Sequence, residues 1–217
     1  MNYQSQIKTA IDLISISIRT APKSGGQDDV VFLSASNKQK NKIAQKMIQI
    51  GREKSKGKLN KAVREAIKTS WVSDANTVKN SQALILIGVR GKKSFGSNCT
   101  GCGFKNCAEF YAHNFKNRQN SVLGPFCMFK IWDLGIATDS AAKTASLLNV
   151  DNRIMYRIGI AVLQLRLMHS KKDKNIPSQI APILGLPLSI SGKNIYFDRL
   201  DKLQAAKILM DHFKAKK

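Results

Sequence analysis

Four cysteines, Cys99, Cys102, Cys107 and Cys127, fall within 29 consecutive residues in the pattern C-x2-C-x4-C-x19-C, and the chain has no others. In a chain that is not exported, thiols clustered in this way are metal ligands or redox groups more often than disulfide partners. The start, Met1 to Lys8, lacks the charged-then-apolar layout of a secretory signal, and no apolar run reaches the ~20 residues that span a bilayer. The expectation is a soluble, cytoplasmic protein with no membrane span. Three thiolates on one short loop, with a fourth arriving later, suit an iron–sulfur cluster of the 4Fe–4S kind. Gly101 and Gly103 permit tight turns and let backbone N–H groups approach the sulfurs, which would stabilise negative charge there. Gly124–Pro125 fixes the return of the chain before Cys127. Structural zinc is the alternative, although it typically takes two short-spaced pairs and only Cys99 and Cys102 form one here. His113 could replace a ligand, but a histidine in a polar stretch is more often solvated.

Near the cysteines stand Lys92, Lys93, Lys105 and Lys130, which by charge complementarity suit an acidic redox partner protein or serve only solubility. The whole chain is strongly basic: 36 Lys and Arg against 14 Asp and Glu in 217 residues give +22. Eleven basic and two acidic residues lie between Lys38 and Lys68. Such an excess attracts polyanions, nucleic acid among them. Only 7% of residues are aromatic, and no basic–aromatic interleaving suited to stacking bases is seen in that stretch.

The elements that must hold this chemistry follow from hydrophobic periodicity. Ile7, Ala10, Ile11, Ile14 and Ile18 predict a helix over Asn2 to Thr20, ended by Pro22 and Gly25–Gly26. Val30 to Ala35 reads as a strand. Two helices are marked by Ile43, Met47, Ile48 and by Leu59, Val63, Ala66, Ile67, with an exposed loop from Gly51 to Lys58. Ala83 to Val89 is the strongest strand signal and runs straight into the cysteine segment. Leu134 to Leu148 and Ile154 to Met168 predict helices, with Asp133 and Asp151 placed as N-caps. Trp71, Trp132, Met155 and Tyr156 read as core. A polar break, Ser170 to Asn175, precedes a segment punctuated by Pro177, Pro182 and Pro187. Ile195 to Phe197 suggests a short strand and Leu200 to Phe213 a final helix. The class is α/β or α+β, a central sheet covered by helices with the cysteine segment inserted after a strand. One domain, 1–217, with a cluster-binding segment at 91–130, is the simplest organisation.

Cys99-Thr-Gly-Cys102-Gly-Phe-Lys-Asn-Cys107 resembles the 4Fe–4S domain of C-x2-C-G-x3-C type. That domain also occurs in ferredoxin-oxidising membrane complexes and in corrinoid iron–sulfur proteins. The remainder resembles the uncharacterised bacterial and archaeal ferredoxin domain-containing proteins. This likeness is carried by Arg19-Thr-Ala-Pro-Lys23, Asp74-Ala-Asn76, Leu86-Ile-Gly88, Asp133-Leu-Gly-Ile-Ala137, Val150-Asp-Asn-Arg-Ile-Met-Tyr156, Ile158-Gly159 and Gly192-Lys-Asn-Ile-Tyr-Phe-Asp-Arg199. Asp139 before Ser140 departs from it, a glycine being expected there. A second resemblance is to nitroreductase-like flavoproteins, through the opening helix, the Arg-Thr-Ala-Pro loop and the later Asp-x-Gly-x-Ala helix. It implies FMN, with Arg19, Lys23, Lys193 and Arg199 as contacts to the flavin phosphate, and a homodimer. Structural ion pairs of Arg19 and Arg199, for example with Asp198 or Asp28, are the alternative.

Three functions follow as expectations: a 4Fe–4S electron-transfer protein, an FMN-dependent oxidoreductase fed by the cluster, or a nucleic-acid-binding protein with a structural metal.

Overall fold

A computed structural model describes residues 3–116, 124–168, 180–192, 195–196 and 200–214. Helix α1 (Tyr3–Thr20) leads through a short 3-10 turn at Ser24–Gly26 into β1 (Val30–Ser34). An antiparallel helical hairpin follows, α2 (Asn37–Lys54) and α3 (Lys61–Asn80), and then β2 (Ala83–Val89). Beyond the cysteine loop come α4 (Cys107–Lys116), α5 (Met128–Leu147), the two-residue β3 (Asp151–Asn152) and α6 (Tyr156–Gln164). The described chain closes with β4 (Ile183–Ser189) and α7 (Leu200–Lys214). The four strands form one antiparallel sheet in the order β1-β2-β4-β3.

Every residue of β2 is buried, because helices cover both faces. Its side chains alternate between two cores, as strand geometry requires. Leu84 and Leu86 meet Ile43, Met47, Trp71, Val78 and Ile158 from α2, α3 and α6. Ala83, Ile85, Ile87 and Val89 meet α1 and α5. On α5 Leu134 and then Ala137, Ala141 and Ala145 face this core, the three alanines giving a four-residue spacing of small side chains that lets α1 lie close. The hairpin helices start on side-chain caps. Ser36 and Gln39 form a capping box, and Asn60 Oδ1 accepts from the Val63 N–H at 2.8 Å.

The structure corrects several expectations. Helix α2 continues through Gly51, because a side chain there would lie 2.5 Å from Trp71 Cβ, so glycine is what lets α2 and α3 close up. Helix α5 begins six residues before Leu134. Asp133 is therefore no N-cap but a buried residue of its second turn. Asp151 lies in β3, and Met155 is the N-cap of α6. Trp71 and Met155 are core residues as expected, but Trp132 and Tyr156 are exposed, on the outer faces of α5 and α6.

Strand β4 falls in the proline-punctuated segment. Pro187 is tolerated because it pairs with Leu84 while its other edge falls between two short pairings, Asn152–Leu188 and Met155–Gly185. The Tyr196 hydroxyl donates to the Pro187 carbonyl there at 2.6 Å. Ile195 and Tyr196 form a turn; Phe197, Pro177 and the break from Ser170 to Asn175 lie outside the described residues. Among the described residues no helix is long and apolar enough to cross a membrane.

Candidate metal centre

The cysteine segment leaves the end of β2 and is pinned at both of its ends to the same place. Gly91 N–H donates to the Ala181 carbonyl at 3.1 Å, just before β4, and the Gly91 carbonyl accepts from Cys127 N–H at 2.7 Å. Gly91 packs too tightly for any side chain: a Cβ would overlap the Ala181 oxygen and lie 3.1 Å from the Phe126 ring. The chain thus returns to where it left, and Cys127 is delivered there as the buried N-cap residue of α5.

Between these ends the loop is built by local hydrogen bonds. Asn98 and Cys107 exchange two of them: Cys107 N–H donates to Asn98 Oδ1 at 2.8 Å, and Asn98 N–H donates to Cys107 Sγ at 3.3 Å. Gly103 N–H closes a turn on the Thr100 carbonyl at 2.8 Å, and its φ of +84° is one that glycine adopts without strain. Asn106 caps α4 by accepting from Glu109 N–H at 2.8 Å, and the fully buried Phe110 meets the Phe104 ring edge-on, with centroids 5.8 Å apart. Gly101 faces α5: a Cβ there would lie 2.7 Å from Met128 Sδ. Met128 follows Cys127, so this packing sets the Cys99–Cys102 loop against the residue next to the one that carries the fourth thiol.

Cys99, Cys102 and Cys107 are partly exposed and Cys127 is buried, and all four are free thiols. Cys107 opens α4 and Cys127 precedes α5, so two of them sit at helix N-termini. A 4Fe–4S cluster takes four thiolates, and the donors present match that demand in type and number. A single zinc ion draws its sulfurs to about 2.3 Å of one point. Among the described residues no three His, Cys, Asp or Glu side chains are gathered closely enough to hold a metal ion, so the four thiols would have to draw together around either group. The His113 ring lies against Phe104, with centroids 5.2 Å apart.

The four neighbouring lysines do not form one docking surface. Lys130 is fully buried, its ammonium 2.8 Å from Asp29 Oδ2 and 3.0 Å from Gln27 Oε1. Lys93 reaches the same Asp29 carboxylate at 3.0 Å with its side chain half exposed. Lys92 is buried beside the Phe126 ring, and burial lowers its pKa. Only Lys93 and Lys105 remain for a partner to meet. Burial pulls the Asp29 pKa upward, but the hydrogen bonds and charges of Lys130 and Lys93 outweigh it and hold the carboxyl below its ordinary value. The sequence offered no signal for Asp29 or Gln27, which lie about a hundred residues from Lys130. Asn98 was legible only as the residue next to Cys99.

The basic residues expected at a flavin phosphate are occupied where they are described. Arg19 pairs with Asp28 at 2.7 Å on an exposed surface. The Lys23 ammonium caps α1, donating to the carbonyls of Ile18 and Arg19 at 2.9 and 2.6 Å. Lys193 and Arg199 lie outside the described residues. Asp133 Oδ1 accepts from both Ser24 N–H and Ser24 Oγ at 2.7 Å, while its Oδ2 is buried with no partner among the described residues.

A model of the uncharacterized proteins containing a ferredoxin domain (DUF2148) matches residues 123–199, which include Cys127. An uncharacterized protein of Archaeoglobus fulgidus is 37% identical over 196 residues, covering 90% of this chain and 93% of that protein. The chain belongs to this ferredoxin-domain family. Among solved structures, a nitroreductase with bound FMN from Desulfitobacterium hafniense superposes with a TM-score of 0.50 at 14% identity. That match covers 89% of this chain and 84% of the other. Nitroreductase A from Vibrio parahaemolyticus gives 0.48 at 12% identity over 97% of this chain and 77% of its own. This member of the family therefore has the mixed helix-and-sheet fold of nitroreductases, with a cysteine loop set after β2.

Proposed function

We propose that the segment 91–130 of a single-domain chain holds a 4Fe–4S cluster on Cys99, Cys102, Cys107 and Cys127, and that the protein transfers electrons. The observation that carries the reading is the delivery of Cys127 to the three-cysteine loop by two contacts, Cys127 N–H on the Gly91 carbonyl and Met128 on Gly101. When bound, the cluster supplies one-electron chemistry. The chain's own part is to hold the thiolates at two helix N-termini and to offer the Asn98 N–H to Cys107 Sγ; both favour the anionic sulfur. The partly exposed Cys99, Cys102 and Cys107 mark the side open to a redox partner, where Lys105 would meet an acidic protein. The test is anaerobic purification with iron, sulfide and zinc analysis. About four irons and four sulfides per chain, lost in Cys102→Ser, support the cluster. Stoichiometric zinc without sulfide refutes it.

The fold likeness to an FMN-bound nitroreductase favours a second reading, a flavin-dependent oxidoreductase whose FMN takes electrons from the cluster. Arg19 would turn from Asp28 to the flavin phosphate, since a guanidinium suits phosphate by charge and by paired donors. Flavin in an acid extract, weakened in Arg19→Ala, supports it. Purification without flavin together with no quenching of added FMN sinks it.

A further inference from the structure

We infer that Lys130, held with Lys93 on the buried carboxylate of Asp29, is a positioning residue that sets Cys127 and raises the reduction potential of the group bound there. The inference deepens the cluster reading and rests on it.

Two ammonium groups share one carboxylate, at 2.8 Å from Lys130 and at 3.0 and 3.1 Å from Lys93. One positive charge is therefore left over in a place where the side chains of Lys130 and Asp29 are 0% and 6% exposed. Stability does not explain such an arrangement. Buried ion pairs are often matched or bettered by apolar residues of similar size. Location explains it. Lys130 stands on the first turn of α5, three residues after Cys127. Lys93 stands two residues after Gly91, whose carbonyl accepts the Cys127 N–H. The Asp29 carbonyl accepts from Arg90 N–H at 3.0 Å. The triad thus ties together the start of β1, the departing chain and the returning chain, and it does so next to the residue that supplies the fourth thiol. Gln27 Oε1 and the face of Phe95, 5.4 Å away, complete the enclosure of the Lys130 ammonium.

Reduction by one electron adds a negative charge to a cluster that four thiolates already make anionic. Lys130 and Lys93 favour that reduced form; the buried Lys130 is weakly screened, and the half-exposed Lys93 is screened more by solvent and salt. Asp29 works in the opposite sense. The sign of each variant's effect is therefore fixed by charge and not by packing.

The test is a mediated titration of the anaerobically purified protein with dithionite as one-electron donor, read by visible bleaching and electron paramagnetic resonance. Iron and sulfide are measured on the same samples. Lys130→Met is expected to lower the midpoint and Asp29→Asn to raise it. Lys93→Gln, at a half-exposed position that tolerates change, is expected to lower it by less than Lys130→Met. Should Lys130→Met fail to fold, Lys93→Gln against Asp29→Asn still gives opposite signs. Midpoints that move together, or stay put in proteins that keep their iron, overturn the inference and leave the cluster reading intact. Wild-type protein without iron and sulfide overturns both.

Discussion

Gly91→Ala is the most economical test of how the cysteine site is assembled. Its added methyl group would overlap the Ala181 carbonyl oxygen and approach the Phe126 ring at 3.1 Å and Pro182 Cδ at 3.3 Å. None of these is the free end of a flexible side chain, so the backbone at residue 91 has to move. Movement lengthens two hydrogen bonds, Gly91 N–H to Ala181 at 3.1 Å and Cys127 N–H to Gly91 at 2.7 Å. Each is worth about 1 kcal/mol net, and forcing a methyl group into a packed site adds about 1–3 kcal/mol. A loss of about 2–4 kcal/mol is expected, which for a chain of this size lowers Tm by roughly 5–15 °C. Because the second bond holds Cys127, the iron content should fall even in the fraction that remains folded. The assay is a thermal melt by circular dichroism alongside iron per chain. Gly192→Ala is the control, since a Cβ at that position meets nothing within 4 Å. A Gly91→Ala protein that melts with the wild type and keeps its iron would refute the account of the site's closure.

Gly159→Ala should be destabilising although alanine is the better helix former, because a Cβ on α6 would overlap the backbone of Ile183 in β4. The overlap should exceed the ~1 kcal/mol gained in propensity, leaving a net loss of about 1–2 kcal/mol in urea unfolding. Acid sensitivity should trace in part to Asp29. Its folded pKa lies below the usual ~3.9, so its contribution is complete above about pH 4 and is lost as pH falls through the lowered value. Asp29→Asn should be less stable than wild type at pH 7 and should lose less of what remains on acidification. Parallel stability curves for the two proteins below pH 4 would contradict the sign.

What was legible in the sequence is what depends on local pattern. The apolar run Ala83–Val89 gave its strand at both ends because helices cover both of its faces, so no residue in it is polar. The cysteines were legible by type and spacing, and Gly103 by the turn it permits. What failed depends on partners distant in the chain. Nothing near Lys130 announces that Asp29 will bury it, and nothing near Asp133 announces Ser24. A strand containing Pro187 was hidden because propensity argues against proline in a sheet. That objection lapses only where the neighbouring pairing is interrupted and Tyr196 supplies the missing partner to the carbonyl.

The same distinction bears on the chain's excess of charge. The eleven basic residues between Lys38 and Lys68 belong to α2, α3 and the turn between them. Those helices pack against the sheet face that carries Leu84 and Leu86, a core that Phe126 beside Cys127 also joins, whereas α5 packs on the opposite face. Exposed charges are screened over ~8 Å at physiological ionic strength, so solvent and salt damp each exposed lysine of that surface. The charge least damped in the cysteine segment is Lys130, fully buried on Asp29 with the half-exposed Lys93 as its neighbour. A basic surface of this kind governs encounters with anions in solution; the tuning proposed for the cysteine site rests on residues that no count of charges would single out.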